Sequence, residues 1–238
     1  MTTLTDALLD PILAADPAGP RITWYDDATG ARIELSAVTL ANWAAKTANM
    51  IRDEFGVLPG GRVAVLLPAH WQTAAVLLGA WWAGADVVLD ADPEAELALV
   101  TADRLADVAE VAEVAEVAAL SLDAFGMPVP NLPVGVTDYA THVRMHGDQF
   151  RSSGDGGAAL DGRSSSEILS AASEYALSTG IGGGDRVLSS REWNTADDLI
   201  AGLLAVLAAG ASLVQVTNPD DEATERRVAS EKVTVRLD

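Results

Sequence analysis

No cysteine occurs among the 238 residues, which removes disulfides and thiolate chemistry and makes a cytosolic compartment the expectation. Lysine is nearly as scarce: Lys46 and Lys232 are the only two, against 13 arginines. Basic charge as a whole is outnumbered, 15 Lys and Arg facing 35 Asp and Glu for a formal net charge of −20. A chain of that sign excludes a general nucleic-acid or anionic-membrane surface, because both need clustered cations. Long apolar runs are missing too. The most apolar window, Thr73 to Leu89, is interrupted by Gly79, Gly84 and Asp86 and falls short of the roughly 20 clean residues a membrane span requires. Residues 1–10 contain no Lys or Arg, so the basic region of a signal peptide is absent. The expectation is a soluble chain without nucleic-acid or membrane partners. Its 49% hydrophobic and 21% charged residues are ordinary globular values, sufficient to core one large domain or two small ones.

What is present is organised around residues 58–89. Pro59-Gly60-Gly61 is a turn signal, and Val63 to Leu67 is a continuous apolar run of the kind that forms a strand buried on both faces. Pro68 closes that strand. His70 to Ala83 is long enough for about four helical turns, Gly84 falls at the C-cap, and Val87 to Leu89 reads as a second, parallel strand. The unit recurs. Gly184-Asp185-Arg186-Val187 repeats the opening, Leu199 to Ala209 the helix, and Gly210 to Val216 the exit into a strand. Arg to Ala spans 21 residues in the first copy (Arg62 to Ala83) and 23 in the second (Arg186 to Ala209). Two copies are too few for a solenoid. The fold class predicted is α/β, with two pseudo-repeated β-α-β lobes and mainly parallel sheets.

The rest of the chain follows in order. Residues 4–15 are predicted as a short helix, and Arg21 to Tyr25 with Ala31 to Leu35 as a hairpin around Asp26 to Gly30. Ser36 is the predicted N-cap of a helix whose buried face is Leu40, Trp43, Ala44, Thr47, Met50, Ile51 and Phe55. Thr47, the polar member, can bond back to the carbonyl of Trp43 or Ala44, and Trp43 is read as core rather than as a ligand platform. Leu97 to Thr101 is a short strand, and a helix starts at Thr101 to Arg104. Val108-Ala-Glu, repeated at Val111 and Val114, has a period of three that drifts around a helix. It is read as a helix giving way to a strand near Val114 to Leu120, its acids a solvated face. Pro128, Pro130 and Pro133 mark a connector. Residues 151–166 form a polar loop, and Ser164 to Glu167 a capping box for a helix burying Ile168, Ala172, Tyr175 and Ala176. Thr195 starts the repeated helix, Asn218 opens a polar one, and Val233 to Leu237 is a final strand. The domains expected are a first lobe at 1–125 that includes the N-terminal hairpin, a connector with a loop at 126–166, and a second lobe at 167–238.

Two local patterns invite a chemical reading. His142 and His146 have the i, i+4 spacing of a zinc pair, but Val143 stands where the metalloprotease pattern has Glu, and two satisfied histidines are preferred. Gly157 to Ser164 mimics a Walker A loop with Arg163 for Lys, without a convincing preceding strand. Asp185 and Arg186 are read as fixing a strand start. No catalytic triad or carboxylate pair can be placed, so no catalytic or metal residue is assigned.

Taken together, Gly61-Arg62-Val63-Ala64, Ala83-Gly84-Ala85, Leu89-Asp90 and the second copy at Gly184 to Ala211 resemble the amino-terminal part of the AMP-forming adenylation enzymes, the acyl-CoA synthetase, luciferase and peptide-synthetase family. The resemblance covers residues 20 to 235, and the short length resembles a group of relatives that keep only this portion. It implies a phosphate loop, Ser-Gly-Thr-Thr-Gly-x-Pro-Lys-Gly, acting on ATP. Here the matching stretch is Ser153-Gly154-Asp155-Gly156-Gly157-Ala158-Ala159-Leu160-Asp161. Ser153, Gly154 and Gly157 match and are the candidate nucleotide-contacting residues. Asp155 instead brings a negative charge, which opposes the preorganised positive field a polyphosphate needs, and Leu160 replaces the lysine. Neither Lys46 nor Lys232 can stand in. The family's later motifs and its C-terminal domain are not found. The resemblance therefore implies a non-catalytic binding or scaffold module needing no cofactor, with ATP or AMP as the only nucleotides suggested. Its partner would be an unknown protein or a second copy. The alternatives are a subunit of a split ATP-dependent acyl-activating ligase and an acyl or nucleotide sensor without turnover.

Overall fold

The computed structural model describes residues 2–110 and 116–237. Its contacts divide the chain into two compact units, each discontinuous in sequence. One comprises Met1–Thr5, Ala41–Leu67 and Ala75–Ser165, and the other Asp6–Leu40, Pro68–Ala74 and Ser166–Asp238.

The first unit is built on a five-stranded sheet of β3 (Arg62–Leu66), β4 (Asp86–Val88), β5 (Leu97–Thr101), β6 (Glu116–Leu120) and β7 (Val136–Asp138), in the order β4-β3-β5-β6-β7. Every pairing is parallel. That explains why the strands read as unbroken apolar runs: a parallel sheet is covered on both faces. Val63, Ala64, Leu66, Leu97, Ala98 and Val100 are all within 1% of full burial. Helix α2 (Ala37–Asn49) continues into a π-helical turn at Met50–Glu54. Thr47 donates to the Trp43 carbonyl at 2.9 Å, as its sequence context predicts, and also shares a 2.6 Å bond with the buried Tyr139 hydroxyl. Helix α3 (Trp71–Ala83) packs against α2 at Gly79, where a Cβ would lie 2.5 Å from Thr47 Cβ and 2.8 Å from the Ala44 carbonyl. A short α4 (Leu105–Glu110) precedes β6, and α5 (Tyr139–Val143) follows β7. The Val111 and Val114 repeats fall at residues 111–115, outside the described residues, while the strand expected beyond them is β6.

The second unit carries β1 (Pro20–Asp26), β2 (Ala31–Ser36), β8 (Arg186–Ser189), β9 (Ser212–Thr217) and β10 (Val235–Leu237), ordered β10-β8-β9-β1-β2. Only the β1–β2 hairpin is antiparallel. Around it lie α1 (Leu4–Ala15), α6 (Ser165–Thr179) and α9 (Asp221–Ser230). The repeated helix is α7 (Ala196–Leu199), a π-helical turn at Ile200–Leu204, and α8 (Ala205–Ala208). The internal repeat is real in three dimensions: Arg62 is the register partner of Asp86, and Arg186 of Ser212.

The chain order of lobes differs from the expectation. The hairpin assigned to a first lobe at 1–125 pairs through β1 with β9, Ile22 against Leu213 and Trp24 against Gln215. The cause is burial. Residues 21–24 of β1 are all buried, and a strand enclosed on both edges needs a second neighbour besides its hairpin mate. The interval 126–166 is likewise more than a connector, since it contributes β7 and α5.

Candidate functional site

The stretch expected to contact nucleotide lies in the first unit. Ser153 and Gly157 are exposed and Gly154 half-buried. The hydroxyl engaged locally is that of Ser152, which accepts from the Gly154 N–H at 3.1 Å and donates to the Gly154 carbonyl at 3.0 Å. Gly156 (φ +66°) is wedged against backbone, for a Cβ there would sit 2.0 Å from the Gly84 carbonyl and 2.4 Å from the Gly60 nitrogen. Beyond it the chain joins the edge of β4: Val87 N–H donates to the Ala159 carbonyl at 3.0 Å, and Asp161 N–H to the Val87 carbonyl at 2.9 Å. Trp81 Nε1 also donates to the Ala159 carbonyl, at 2.6 Å. Leu160, where the adenylation pattern has its lysine, is completely buried. Burial, and then the charges of Asp86 and Asp90, push the Asp161 carboxyl above its usual range. Asp86, Asp90 and Asp161 thus gather negative charge here, offset in part by Arg163. Lys46 is committed elsewhere, donating to the His146 carbonyl at 2.7 Å. These residues do not fit a polyphosphate.

A second place was not legible in the sequence. In the second unit, Ser189, Gln215 and Trp24 are successive register partners across β8, β9 and β1, so their side chains line one face toward the carboxyl ends of the parallel strands. Open α/β sheets bind ligands at that end. His70 stands edge-on to Trp24, ring centroids 4.3 Å apart. All four residues are buried, as is Trp193. His70 Nδ1 accepts from the Gln72 N–H at 3.1 Å, which places the imidazole proton on Nε2. Burial drives the His70 pKa down to about 3 against a small opposing effect of Asp26, so the ring is neutral. Gln215 Nε2 donates to the Arg191 carbonyl at 3.0 Å. His70 Nε2, Gln215 Oε1 and Trp193 Nε1 are left without partners among the described residues. Orphaned buried polar atoms cost about 1–3 kcal/mol each, and those of His70 and Gln215, beside the strand ends, are what a site for a polar ligand group presents. The π-helical turn adds to this, since a Cβ at Gly202 would come within 2.8 Å of Trp193 Nε1. The sequence signals available were a glutamine inside an apolar strand and a histidine opening an apolar helix.

The histidine pair resolves differently. His142 Nδ1 and His146 Nε2 meet the two oxygens of Glu54, at 2.5 and 2.9 Å. Burial pushes the Glu54 carboxyl up, but the two imidazole bonds outweigh it and hold the group below its usual range. No group of three or more side chains suited to a metal occurs among the described residues. Asp185 and Arg186 do sit at a strand start: Asp185 accepts from Gly182 N–H and Thr234 Oγ1, both at 2.8 Å, and Arg186 donates to Thr23 Oγ1 at 2.9 Å.

No family model matches the chain. Among solved structures it is similar to a Brucella canis acyl-CoA synthetase (19% identity, TM-score 0.77, 98% of this chain and 46% of that one). A benzoate CoA ligase from Burkholderia xenovorans is comparable (17%, TM-score 0.76, 99% and 50%). The N-terminal domain of FACL13 from Mycobacterium tuberculosis also matches (15%, TM-score 0.71, 99% and 62%). The chain thus has the α/β fold of the N-terminal part of acyl-CoA synthetases and spans about half the length of the first two. No helix among the described residues is long and apolar enough to cross a membrane. A Mycobacterium tuberculosis protein named TIGR03089 family protein is 61% identical over 237 residues, 98% of this chain and 97% of that protein. At that identity and coverage, the chain belongs to the TIGR03089 family.

Proposed function

We propose that this protein is a non-catalytic, cytoplasmic binding module on an adenylation-enzyme scaffold. Its ligand would lie at the carboxyl ends of β8, β9 and β1 rather than on a phosphate loop. The observation that carries the reading is Leu160. The adenylation pattern puts a lysine there to meet phosphate, and here the position is fully buried beside the β4 edge. Restoring a lysine would bury a charge instead of presenting one. Ser153, Gly154 and Gly157 would then keep at most the backbone shape of a phosphate loop.

The test is a thermal-shift titration of the purified protein with ATP, AMP and acyl-CoA, with and without magnesium, alongside an assay for pyrophosphate release with a panel of acids. A ligand at 100 times its Kd adds about 2.7 kcal/mol to the native state, a visible shift. A shift with AMP or acyl-CoA that His70→Phe or Gln215→Leu abolishes, without turnover, supports the reading. Pyrophosphate release by the pure protein overturns it. Release only after a second chain is added would favour a split ligase.

A further inference from the structure

Away from that site, at the amino-terminal ends of β1, β8 and β9, the second unit contains a cavity of about 740 Å³. This lies within the range of about 300–1,000 Å³ typical of small-molecule sites. One wall is α1, through Ala7, Leu8, Pro11 and Ile12, and the facing wall is the end of α8 with Leu207 and Ala208. Both walls are apolar. The polar groups are fewer, and their bonding state separates them. Of the carboxylates, Asp16 accepts from Gly19 N–H at 2.9 Å, and Asp185 is held by Gly182 and Thr234. Glu231 takes Tyr25, Arg32 and Arg186. Burial pushes its carboxyl up, but those bonds prevail and bring it down to about 2. Every acid in the cavity is thereby satisfied.

Of the cations, Arg186 is held by Glu231 and Thr23, whereas Arg21 and Lys232 are not fully engaged. Arg21, only 5% exposed, gives Nη1 to the carbonyls of Gly210 and Ala211, both at 2.7 Å, while its buried Nε has no partner. Lys232 lines the same cavity, is exposed, and has no ion-pair partner among the described residues. A buried guanidinium with an unused donor suits a carboxylate. Burial lowers the Arg21 pKa against the opposing charge of the nearby Asp16, which is bonded to the Gly19 N–H rather than to the guanidinium. Two apolar walls match a hydrocarbon body.

From this we propose that the cavity under α1 binds a small apolar carboxylate, its head group on Arg21 with Lys232 at the mouth and its hydrocarbon between α1 and α8. The proposal is independent of the strand-end site, because the two lie at opposite ends of the same strands.

Isothermal titration of the whole chain with octanoate, decanoate and dodecanoate, and with decan-1-ol as the uncharged control, tests it. Expected are saturable 1:1 binding, roughly tenfold tighter for each two added methylenes, and decanol at least about tenfold weaker than decanoate. Arg21→Gln should weaken decanoate about tenfold or more. Since Arg21 also tethers the Gly210–Ala211 turn, Ala7→Phe is the companion variant: it fills the cavity, leaves Arg21 in place, and should abolish binding at an unchanged melting temperature. Absence of saturable binding, equal affinity for decanol, or decanoate binding undiminished in Ala7→Phe would each overturn the proposal.

Discussion

Gly156 shows how a single residue decides what a loop can be. Its positive φ and the backbone of Gly60 and Gly84 leave no room for a side chain, so this part of the loop is a packing element. Gly162 is a natural comparison, with φ +76° and open space where its Cβ would point. Gly162→Ala should cost only the left-handed backbone penalty of about 1–2 kcal/mol. Gly156→Ala adds collisions with backbone that cannot rotate away and should cost clearly more, read as a lower urea midpoint at unchanged m. His70 carries a prediction of opposite character. Its folded pKa of about 3 lies below the ordinary 6.5, so between those values the unfolded chain takes up the proton first. Stability from this residue is therefore complete above pH 6.5 and lost as pH falls toward 3. Equilibrium unfolding at pH 7, 6, 5 and 4 should show the decline, and His70→Phe should flatten it across that window. The glycine's role was half visible in sequence, as a turn former. The histidine's was not, because burial by Trp24 comes from a segment 46 positions away.

At the level of elements, the sequence was informative wherever a local rule sufficed. The β3-α3-β4 unit, its copy at β8 to β9, the hairpin, the polar helix after Asn218 and the strand β10 all follow from periodicity, turn residues and capping chemistry. Thr195 is the sharpest case. Its Oγ1 accepts from Asp198 N–H at 3.1 Å and donates to Asp198 Oδ2 at 2.6 Å, a cap at the start of α7. Thr195→Ala should cost about 0.5–2 kcal/mol, measurable by thermal or urea unfolding, and Thr195→Ser should recover most of it. The π-helical turn at Ile200–Leu204 lay beyond sequence reasoning. Nothing in an apolar run distinguishes i→i+4 from i→i+5 bonding, and the packing of Gly202 against Trp193 is a tertiary matter.

Across the whole molecule the governing quantity is the net charge of −20. Self-repulsion of that size works against any compact state, and isolated surface ion pairs return only about 0–1 kcal/mol each. Raising salt from about 0.01 to 0.15 M shortens the screening length from about 30 to 8 Å. The melting temperature should therefore rise by a few degrees; differential scanning calorimetry in sodium chloride checks this, and a fall would mean that ion pairs such as Arg186–Glu231 outweigh the repulsion. The same accounting explains the composition of the sites. Of the two lysines in the chain, Lys46 donates to a backbone carbonyl and Lys232 lines the cavity under α1, and the 151–166 loop itself carries none.

The sequence by itself determined the α/β class, the internal repeat, nearly every element and the replacement of the phosphate-loop lysine by Leu160. These depend on residue types and short spacings, which act within a turn or two of the backbone. Tertiary structure alone decided that the N-terminal hairpin completes the sheet of β8 and β9, and that Leu160 is core. It also joined Glu54 to His142 and His146 and set Ser189, Gln215, Trp24 and His70 on one surface. Those outcomes depend on which distant strands and helices exclude water from one another, and burial of that kind is shared among segments that no local pattern connects.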